Sequence, residues 1–504
     1  MMDGRSTARA AALVIVAWTA WLALRWDTQL VLEDALITFR HAENLATGQG
    51  YGFNPGHWVQ GSTTPLFTLA LALIGWLIGP ASIPWAALAL GLAAGTVTIV
   101  LSADLLEGWG CAPAVQVLAV LGWILCPAVV WSTVGGMETA WVSAFMALGT
   151  WGLDRQRGRW FGLAVAGLLL TRPDTLVFVG LLVVASVPRR TLWRDAWPLA
   201  IPVLAWIAWA TWAFSTPVPH SLIAKSVVNP AGTVFGIGAV LARLEWLGPS
   251  LSAPFPGVPA AGWGLVALGG GRVIWQRSGL GGVAAVFIPL FAAALHLGRA
   301  PRFLWYPVPL AWAAVVVGAA AWQWVFDRLP RLGASPLRWM LPAVLAVCAI
   351  VPNRDSATFW REVQANEDQM RTAVGLWLSQ NTPQDAVVAM EAIGYQGTLA
   401  NRRIVDLAGL ISPQVVRIAR EHPRNAARFE AMLRQLAPDA VVLRHYEVSR
   451  DRHMHGGRMF ASPAGRRAFD ASYQEAARFS APFPSRMGRN HTVVIYVSRL
   501  NSVN

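Results

Sequence analysis

The sequence predicts a polytopic α-helical membrane protein with a C-terminal α/β domain outside the membrane. Of the 504 residues, 55% are hydrophobic and only 13% are charged, whereas a typical soluble domain carries about 25% charged residues. Apolar segments run from residue 10 to about 352, and the rest of the chain is polar and rich in arginine. We therefore divide the chain into a membrane domain, 1–352, and an outer domain, 353–504.

The charge distribution and the cysteines argue against a nucleic-acid partner, a disulfide framework and a cysteine metal site. The net charge is +13, but the basic residues fall largely in short loops between apolar segments, where they set topology, so nucleic acid is not the expected partner. The three cysteines, Cys111, Cys126 and Cys348, are far apart and show no CxxC spacing. They predict neither a disulfide framework nor a metal site. The 27 tryptophans suit a protein with long membrane interfaces.

Arginine clusters mark the cytoplasmic side and fix the topology. If Arg9 and Arg155 both lie on the cytoplasmic side, an even number of spans must separate them. The sequence between them has five apolar stretches, so one of these does not cross the membrane. The segment 64–79 is short against the ~20 residues that a span needs, and Thr-Thr-Pro and Gly-Pro bracket it. We therefore interpret it as a re-entrant or juxtamembrane helix on the outer face.

About eleven spans remain. They are expected near 10–26, 84–103, 113–131, 138–153, 160–171, 174–187, 197–214, 257–275, 279–295, 303–325 and 339–352. No clean small-residue cleavage site follows the first apolar segment, so it is interpreted as a retained helix with a cytoplasmic N-terminus. This topology gathers polar segments on the outer face: 27–63, 135–139, 171–174, 215–256 and 296–303. The functional site is therefore expected there.

Glu33 and Asp34 are the leading catalytic candidates. Two adjacent carboxylates repel each other, so one can have a raised pKa and act as a general base near neutral pH. The alternative is a hydrated loop pair or an N-cap for the helix that follows. From the residues alone, the two interpretations are evenly matched.

Basic residues on the outer face are candidates for binding a phosphate. Lys225 is the only lysine among 40 basic residues, and a compact ammonium can hold a phosphate as a point charge; chance retention is the alternative. Arg172 and Arg302 lie at span boundaries, where snorkelling to headgroups would also explain them. Arg40 could share a helix face with Glu33 and hold a carboxylate or phosphate, or form a surface ion pair.

Other polar residues give weaker signals. Glu138 begins a span and could simply favour the helix N-terminus through the dipole. His57 and His220 show no metal-binding spacing, and no Walker A, Rossmann or Ser/His/Asp pattern is present.

The ordered motifs resemble those of the GT-C superfamily of polytopic glycosyltransferases that use polyprenyl-phosphate sugars, in the bacterial branch that includes cell-wall arabinofuranosyltransferases. The most specific motif is Glu33-Asp34-Ala35-Leu36-Ile37-Thr38-Phe39-Arg40-His41-Ala42-Glu43-Asn44-Leu45, continued by Gly50-Tyr51-Gly52-Phe53-Asn54-Pro55-Gly56. Weaker matches follow at 136–139, 172–174, 224–226, 302–303, 393–395 and 405–410. Two positions depart from the family pattern: Glu33 replaces an aspartate and Gln60 replaces a glutamate.

The resemblance implies a GT-C-like fold and an inverting sugar transfer on the outer face of the bacterial inner membrane. A carboxylate of Glu33 or Asp34 would deprotonate the acceptor hydroxyl. The donor phosphate would be bound by Lys225, Arg172, Arg302 and Arg40. Further substrate contacts would come from His41, Asn54, Glu138 and His220.

The resemblance also suggests the substrates. The donor would be a polyprenyl-phosphate sugar, such as arabinofuranose, and the acceptor a cell-envelope glycan, lipid or protein. No cofactor or metal is indicated, although two acids could hold a divalent ion. Two other functions stay open: a transporter or flippase of a lipid-linked glycan, although no internal repeat is seen, and a non-catalytic protein of envelope assembly.

The outer domain, 353–504, is predicted to be mixed α/β. A helix is expected at 358–380, and strands are expected at 386–390, 403–407, 440–445 and 492–498. The domain has 20 arginines against 14 acidic residues, so it could rest on anionic headgroups or bind an anionic acceptor. Plain solvation of these charges is the alternative.

Overall fold

The computed structural model describes residues 4–228, 281–297, 305–328, 357–448, 459–460, 463–483 and 492–499. The described part of the membrane domain consists of helices and the loops that join them, and the described part of the outer domain contains a five-stranded sheet. The predicted fold class, a helical polytopic membrane domain followed by a C-terminal α/β domain, is therefore confirmed, and the side of the membrane on which the C-terminal domain lies stays a prediction. The predicted spans 257–275 and 339–352 lie outside the described residues.

The first three helices place the acidic pair. α1 (Gly4–Thr28) is the predicted first span, α2 (Glu33–Ala46) begins at the acidic pair itself, and α3 (Pro65–Ile78) is the short apolar segment interpreted as non-crossing. The start of α2 is fixed by Leu32, whose backbone N–H donates to the Gly135 carbonyl at 3.0 Å. The side of the membrane on which α3 lies stays a prediction.

The next four helices are α4 (Ile83–Gly108), α5 (Pro113–Ile124), α6 (Pro127–Val134) and α7 (Thr139–Asp154). The predicted span 113–131 is thus not one straight helix, because α5 and α6 are bent by 53° relative to each other. The bend falls at Pro127, which has no N–H to donate and restricts Cys126 before it to an extended conformation.

The following helices are α8 (Gly158–Thr171), α9 (Leu176–Ser186), α10 (Arg190–Ala196), α11 (Ile201–Phe214) and α12 (His220–Val227). Two further helices lie at Gly281–Leu297 and Pro307–Arg328. α8 ends at Arg172, which is extended (φ −154°, ψ 133°) because Pro173 follows it. Arg172 therefore lies at a break between two apolar helices.

Helix length supports part of the predicted span count. Among the described residues, four helices are long and apolar enough to cross a membrane, or five if α5 and α6 form one bent span. Several apolar helices are shorter, including α3, α8 and the segment 173–186. The figure of about eleven spans stays a prediction.

The outer domain begins with a helix over 357–381, interrupted by a π-helical turn at Glu367–Arg371. The strands are β1 (Val387–Met390), β2 (Arg403–Asp406), β3 (Ala440–Arg444), β4 (Tyr473–Ser480) and β5 (Thr492–Ser498). Their order is β2-β1-β3-β5-β4, with β1, β2 and β3 parallel and β5 antiparallel to β3 and β4. Further helices lie at Tyr395–Ala400, Pro413–Glu421, Asn425–Leu436, His445–Val448 and Pro463–Ser472.

The sheet is covered on both faces. On one face Val388, Met390 and Ile404 pack with Val374 and Leu378 of the long first helix. On the other face the alternate residues pack with the helices Pro413–Glu421 and Asn425–Leu436. The four predicted strands are confirmed, but β4 was not predicted. Its sequence, Tyr-Gln-Glu-Ala-Ala-Arg-Phe-Ser, has no β-branched residue, and it is an edge strand with few buried side chains.

The two domains are joined through the segment before α2. The Val31 N–H donates to Gln364 Oε1 at 3.1 Å, and the Tyr395 hydroxyl donates to the Val31 carbonyl at 2.8 Å. Nearby, the Trp131 and Trp360 rings lie with their centroids 6.1 Å apart. These contacts place the outer domain directly over the start of α2.

Candidate active site

A cleft with an accessible volume of about 100 Å³ lies at the junction of the two domains. It is enclosed by the first turns of α2, the segment 61–64, the start of α7, the break at 172–174 and α12, and the outer domain contributes Leu410. The charged residues that line it are Asp34, Glu138, Arg172, Asp174 and Lys225. Four of the predicted outer-face segments, 27–63, 135–139, 171–174 and 215–256, therefore meet around one space.

Asp34 reaches this cleft from the first turn of α2. Burial raises the pKa of its carboxyl group to about 6; the positive charge of Lys225 opposes that rise, and the charges of Glu33 and Glu138 add to it. A carboxyl group with this pKa is mostly ionised at neutral pH and is still basic enough to accept a proton from a hydroxyl group in a transition state. Asp34 thus has the position and the proton affinity expected of a general base.

Glu33 points away from the cleft and holds the outer domain. Its Oε1 accepts a hydrogen bond from the Gly394 N–H at 2.7 Å, and its Oε2 accepts one from the Tyr395 N–H at 3.0 Å. Arg371 Nη1 lies 3.2 Å from the same Oε2. The carboxylate is therefore fully engaged in a domain contact. Gly394 allows this approach because a Cβ there would collide with the Glu33 backbone oxygen.

Lys225 approaches the cleft from α12. Burial lowers the pKa of its ammonium group, and the charge of Asp34 acts in the opposite direction. α12 is held at both ends: at its start the His220 N–H donates to the Gln60 carbonyl at 2.9 Å, and just after its end the Arg428 side chain donates through Nη1 to the Val228 carbonyl at 2.7 Å. The ammonium and the Asp34 carboxylate thus face one space from different elements.

Arg172 is held between two carboxylates. Its Nη1 donates to Glu138 Oε1 at 2.7 Å, and its Nε and Nη2 donate to the two oxygens of Asp174 at 2.9 and 3.1 Å. The guanidinium also lies over the Tyr306 ring, 5.5 Å from its centroid. Glu138 is therefore an ion-pair partner as well as the N-cap of α7. The arrangement fixes the guanidinium rigidly at the wall of the cleft.

Hydroxyl groups form another wall of the cleft. Ser62 Oγ lies 3.1 Å from both Thr64 Oγ1 and Thr68 Oγ1, and 3.5 Å from Thr38 Oγ1. Ser221 also lines the cleft, and its buried hydroxyl has no hydrogen-bond partner among the described residues. Such groups can hydrogen-bond a polyhydroxylated substrate.

Two predicted residues of α2 do not line the cleft. Arg40 Nη1 pairs with Glu43 at 2.9 Å, and its Nη2 reaches Asn401 of the outer domain at 3.4 Å. His41 is fully buried, with Nδ1 2.7 Å from the Ile37 carbonyl and its ring against Tyr51 and Phe53. Burial lowers the pKa of His41 to about 4, so the imidazole is neutral.

Three other predicted residues have different surroundings. Asn54 docks the loop 47–64 on the edge strand β2: its Nδ2 donates to the Ile404 carbonyl at 2.9 Å and its Oδ1 accepts from the Ile404 N–H at 2.8 Å. His220 begins α12, and burial lowers its pKa. Arg302 lies outside the described residues. The substrate contacts predicted for these residues stay predictions.

Gln60, which replaces the family's glutamate, is buried beside the cleft. Neither atom of its side-chain amide has a hydrogen-bond partner among the described residues. Within the described ranges, no group of three or more His, Cys, Asp or Glu residues is arranged to hold a metal ion.

Sequence reasoning missed several cleft residues. Asp174, Tyr306, the hydroxyl groups and Leu410 were not predicted as site residues. Leu410 is positioned by Asp406, whose carboxylate accepts hydrogen bonds from the Ala408 and Leu410 N–H groups. The motif 405–410 contained this signal, since an aspartate that precedes a glycine by a few residues is typical of a turn in which its carboxylate accepts from the backbone.

Comparison with known proteins gives similarities at three levels. Residues 359–496 match a domain of unknown function (DUF8728). The chain is 29% identical over 181 residues to the terminal β-(1→2)-arabinofuranosyltransferase of Mycobacterium tuberculosis. That match covers 34% of this chain and 26% of the relative, so the chain matches about a quarter of that protein's length.

The structural similarity extends over almost the whole chain. The apo crystal structure of ArnT from Cupriavidus metallidurans matches with a TM-score of 0.54 and 14% identity, covering 98% of each chain. The ArnT structure bound to undecaprenyl phosphate matches with a TM-score of 0.54 and 13% identity, covering 96% of this chain and 97% of ArnT. The chain is a multi-pass membrane protein with the ArnT fold, so the GT-C-like architecture predicted from the motifs is confirmed.

Proposed function

We propose that this protein is a membrane glycosyltransferase that moves a sugar from a polyprenyl-phosphate donor to a cell-envelope acceptor. The observation that carries the proposal is the position of Asp34 and Lys225 in one cleft between the membrane and outer domains. A buried base and a buried ammonium group are the two charges that such a transfer needs, one for the acceptor hydroxyl and one for the leaving phosphate.

The transfer proceeds in one displacement with inversion at the anomeric carbon. The acceptor hydroxyl oxygen forms a bond to the anomeric carbon, and the bond from that carbon to the phosphate oxygen breaks with its electron pair. Asp34 accepts the hydroxyl proton, and polyprenyl phosphate leaves with the added negative charge. Lys225 stabilises that charge as it develops, because an ammonium in a buried cleft interacts more strongly than one in water.

The other cleft residues position the substrates. Arg172 is already neutralised by Glu138 and Asp174, so it serves better as a directed hydrogen-bond donor than as a free charge. The hydroxyl groups of Ser62, Thr64 and Ser221 are suited to the hydroxyl groups of the donor sugar. Glu33 acts through the outer domain and is a positioning residue.

The similarities support the choice of substrates. The mycobacterial relative is named for the transfer of arabinofuranose, and ArnT was crystallised with undecaprenyl phosphate. On this basis we propose an arabinofuranose-like pentofuranose as the sugar and a polyprenyl phosphate as its carrier. The reaction takes place on the outer face of the bacterial inner membrane, with the N-terminus in the cytoplasm.

Envelope glycans test the proposal. A deletion strain complemented with the wild type is compared with strains that carry Asp34→Asn or Glu43→Gln, the latter a control for a half-buried acid of the same helix that does not line the cleft. We expect one sugar to be lost from the envelope glycans of the deletion and Asp34→Asn strains and to be present in the other two. Full rescue by Asp34→Asn would disprove catalysis by Asp34.

The same strains separate a transferase from a transporter. A transferase variant without its base accumulates the intact lipid-linked donor on the outer face, where an external chemical probe or glycosidase reaches it. Loss of a flippase would instead retain the donor on the inner face. Inaccessible donor in the deletion strain would contradict the proposed transfer.

A further inference from the structure

α12, the helix that carries Lys225, has two differently occupied sides. Ser221 and Lys225, four residues apart and therefore on one side of the helix, line the cleft. Ala224 and Val228 have the same spacing and are buried on another side. α12 has only eight residues, whereas isolated helices shorter than about 12–15 residues are marginal in water. Contacts of the buried side are therefore needed to hold α12, and with it Lys225, in place.

The buried side of α12 packs on the outer domain. Ala224 and Val228 form one apolar cluster with two residues of the helix Pro413–Glu421, Val416 and Ala419. These two residues are three positions apart, so they share a face of that helix, and both are at most 3% exposed. The cluster thus joins the helix that carries the cleft's ammonium group to the outer domain.

The turn 406–410 forms a second part of this contact. Gly409 has a φ of 77°, and a Cβ there would come within 3.2 Å of the Val228 side chain and 3.6 Å of the Ala224 side chain. Glycine therefore suits this position both in backbone conformation and in its close approach to α12. Asp406 fixes the turn through the backbone N–H groups that bind its carboxylate. The motif in this turn thus supplies a surface for α12.

Arg428, on the helix Asn425–Leu436 of the outer domain, holds the end of α12. Its side chain is buried, and its Nη1 donates to the Val228 carbonyl at 2.7 Å. The last carbonyl groups of a helix have no partner within the helix and carry a partial negative charge, so a guanidinium group there stabilises the helix end. Arg428 does not line the cleft, and its connection to the cleft runs through α12.

We infer that the outer domain positions Lys225, and that Val416 and Arg428 are positioning residues for binding of the donor phosphate. Asp34 belongs to α2 of the membrane domain, so docking of the two domains brings the two charges of the cleft together. The words donor phosphate rest on the proposed function, but the placement of α12 does not. Loosening of α12 should weaken phosphate binding, although neither positioning residue lines the cleft.

Hydrogen exchange and lipid binding of the full chain in nanodiscs test the inference without turnover. The variants Val416→Ala and Arg428→Met each weaken one contact of α12. Val415→Ala is the matched control for the first, because Val415 is the neighbouring buried valine and packs against the sheet. Arg402→Met is the control for the second, because Arg402 also donates to backbone carbonyl groups at a helix end, that of the helix over 357–381.

We expect amide exchange in 220–228 to be at least about fivefold faster in Val416→Ala and Arg428→Met than in the wild type, and unchanged in both controls. The same two variants should bind undecaprenyl phosphate about three- to tenfold more weakly. In a Lys225→Met background, Arg428→Met should cause no further loss, because the group that it positions is already absent. Arg428→Lys keeps a donor for the helix end and should restore part of the binding.

Equal effects of the control variants, unchanged exchange in 220–228, or a further loss of binding in the Lys225→Met background would overturn the inference. A different result would count against the proposed function. If Lys225→Met itself bound undecaprenyl phosphate as the wild type does, the proposed contact of Lys225 with the donor would be wrong, and the exchange rates alone would then decide whether the outer domain positions α12.

Discussion

Glu33 and Asp34 are consecutive residues, yet their carboxylates belong to different sites. Asp34 lines the interdomain cleft with Lys225, whereas Glu33 accepts hydrogen bonds from the Gly394 and Tyr395 N–H groups of the outer domain. The motif predicts a pair of acids that work together. The structure instead supports a division of work, in which one acid faces the substrate and its neighbour positions the domain above it.

Neutralising the two acids should therefore have different effects. In reconstituted transfer assays we expect Asp34→Asn to lower kcat at least about 100-fold, since a general base contributes 10²–10⁴-fold, with little loss of stability. Glu33→Gln should keep most of kcat but lower the free energy of unfolding by about 1–3 kcal/mol, because it weakens a partly buried ion pair and two charge-assisted hydrogen bonds.

Gly394→Ala provides an independent check on the function of Glu33. The added Cβ collides with the Glu33 backbone oxygen, so this variant should loosen the same domain contact without removing any charge. Faster proteolysis between the domains in both Glu33→Gln and Gly394→Ala is the expected result. If Glu33→Gln abolished kcat while its domain contact stayed intact, the division of work would be wrong.

The rate of transfer should depend on the ionisation of Asp34. Because burial raises the pKa of Asp34 to about 6, kcat/KM should fall as the pH drops below about 6. Stability should change in the opposite direction. A carboxyl group whose folded pKa lies above its ordinary value of 3.8 stabilises the fold most when protonated, and this contribution is lost as the pH rises from about 4 to 6.

The pH profile of Asp34→Asn is the control. The residual activity of this variant should lack the acidic limb, that is, the fall of kcat/KM below about pH 6. Between pH 4 and 6, its free energy of unfolding should also lack the part of the wild-type change that Asp34 contributes. An unchanged acidic limb in this variant would assign the titration to another group.

Lys225 should affect both donor binding and this titration. We expect Lys225→Met to raise the KM for the polyprenyl-phosphate donor about 10- to 100-fold, since it removes a buried cation from the cleft. It should also shift the acidic limb upward, because the charge of Lys225 holds the pKa of Asp34 down. Lys225→Arg should restore the donor KM only in part, because a planar guanidinium does not replace a compact ammonium.

Arg424→Met, which removes an exposed cation, is the control. We expect it to change neither the donor KM nor the pH of the acidic limb. If Lys225→Met changed the donor KM but left the acidic limb in place, Lys225 and Asp34 would not interact through the cleft.

The sequence predicted the general fold well because strong signals act over long segments. Hydropathy marked most of the described helices, and runs of β-branched residues marked β1, β2, β3 and β5. It could not predict β4, which lacks such residues, nor the bend at Pro127, because a proline ends some helices and only bends others.

The site was predicted in part. Asp34, Lys225, Arg172 and Glu138 all line the cleft, since unusual polar residues in a membrane protein tend to gather at a site. Glu33 and Arg40 were expected there as well, but their side chains lie against the outer domain. The direction in which a side chain points depends on its tertiary contacts, which the sequence does not show. Arg40 pairs with Glu43, three residues away, and with Asn401 of the outer domain, and the second of these contacts could not be predicted.

The buried contact between Arg172 and Glu138 gives a last prediction. Their side chains are 9% and 3% exposed, and that of Asp174 is 18% exposed. Removing one partner of a buried pair leaves an uncompensated charge and typically costs about 3–5 kcal/mol. We expect Glu138→Gln and Arg172→Met each to destabilise the protein by about this amount, measured by unfolding in nanodiscs.

The double variant Glu138→Gln/Arg172→Met should recover part of the loss, because only Asp174 then stays without its partner. Asp174→Asn should cost less than Glu138→Gln, since water reaches Asp174 more easily. A double-mutant cycle measures the coupling between Arg172 and Glu138, which should amount to at least about 1 kcal/mol for a pair this buried. Simple additivity would show that the guanidinium and the carboxylate are solvated separately, and Arg172 would then be free to act as a second cation toward the donor.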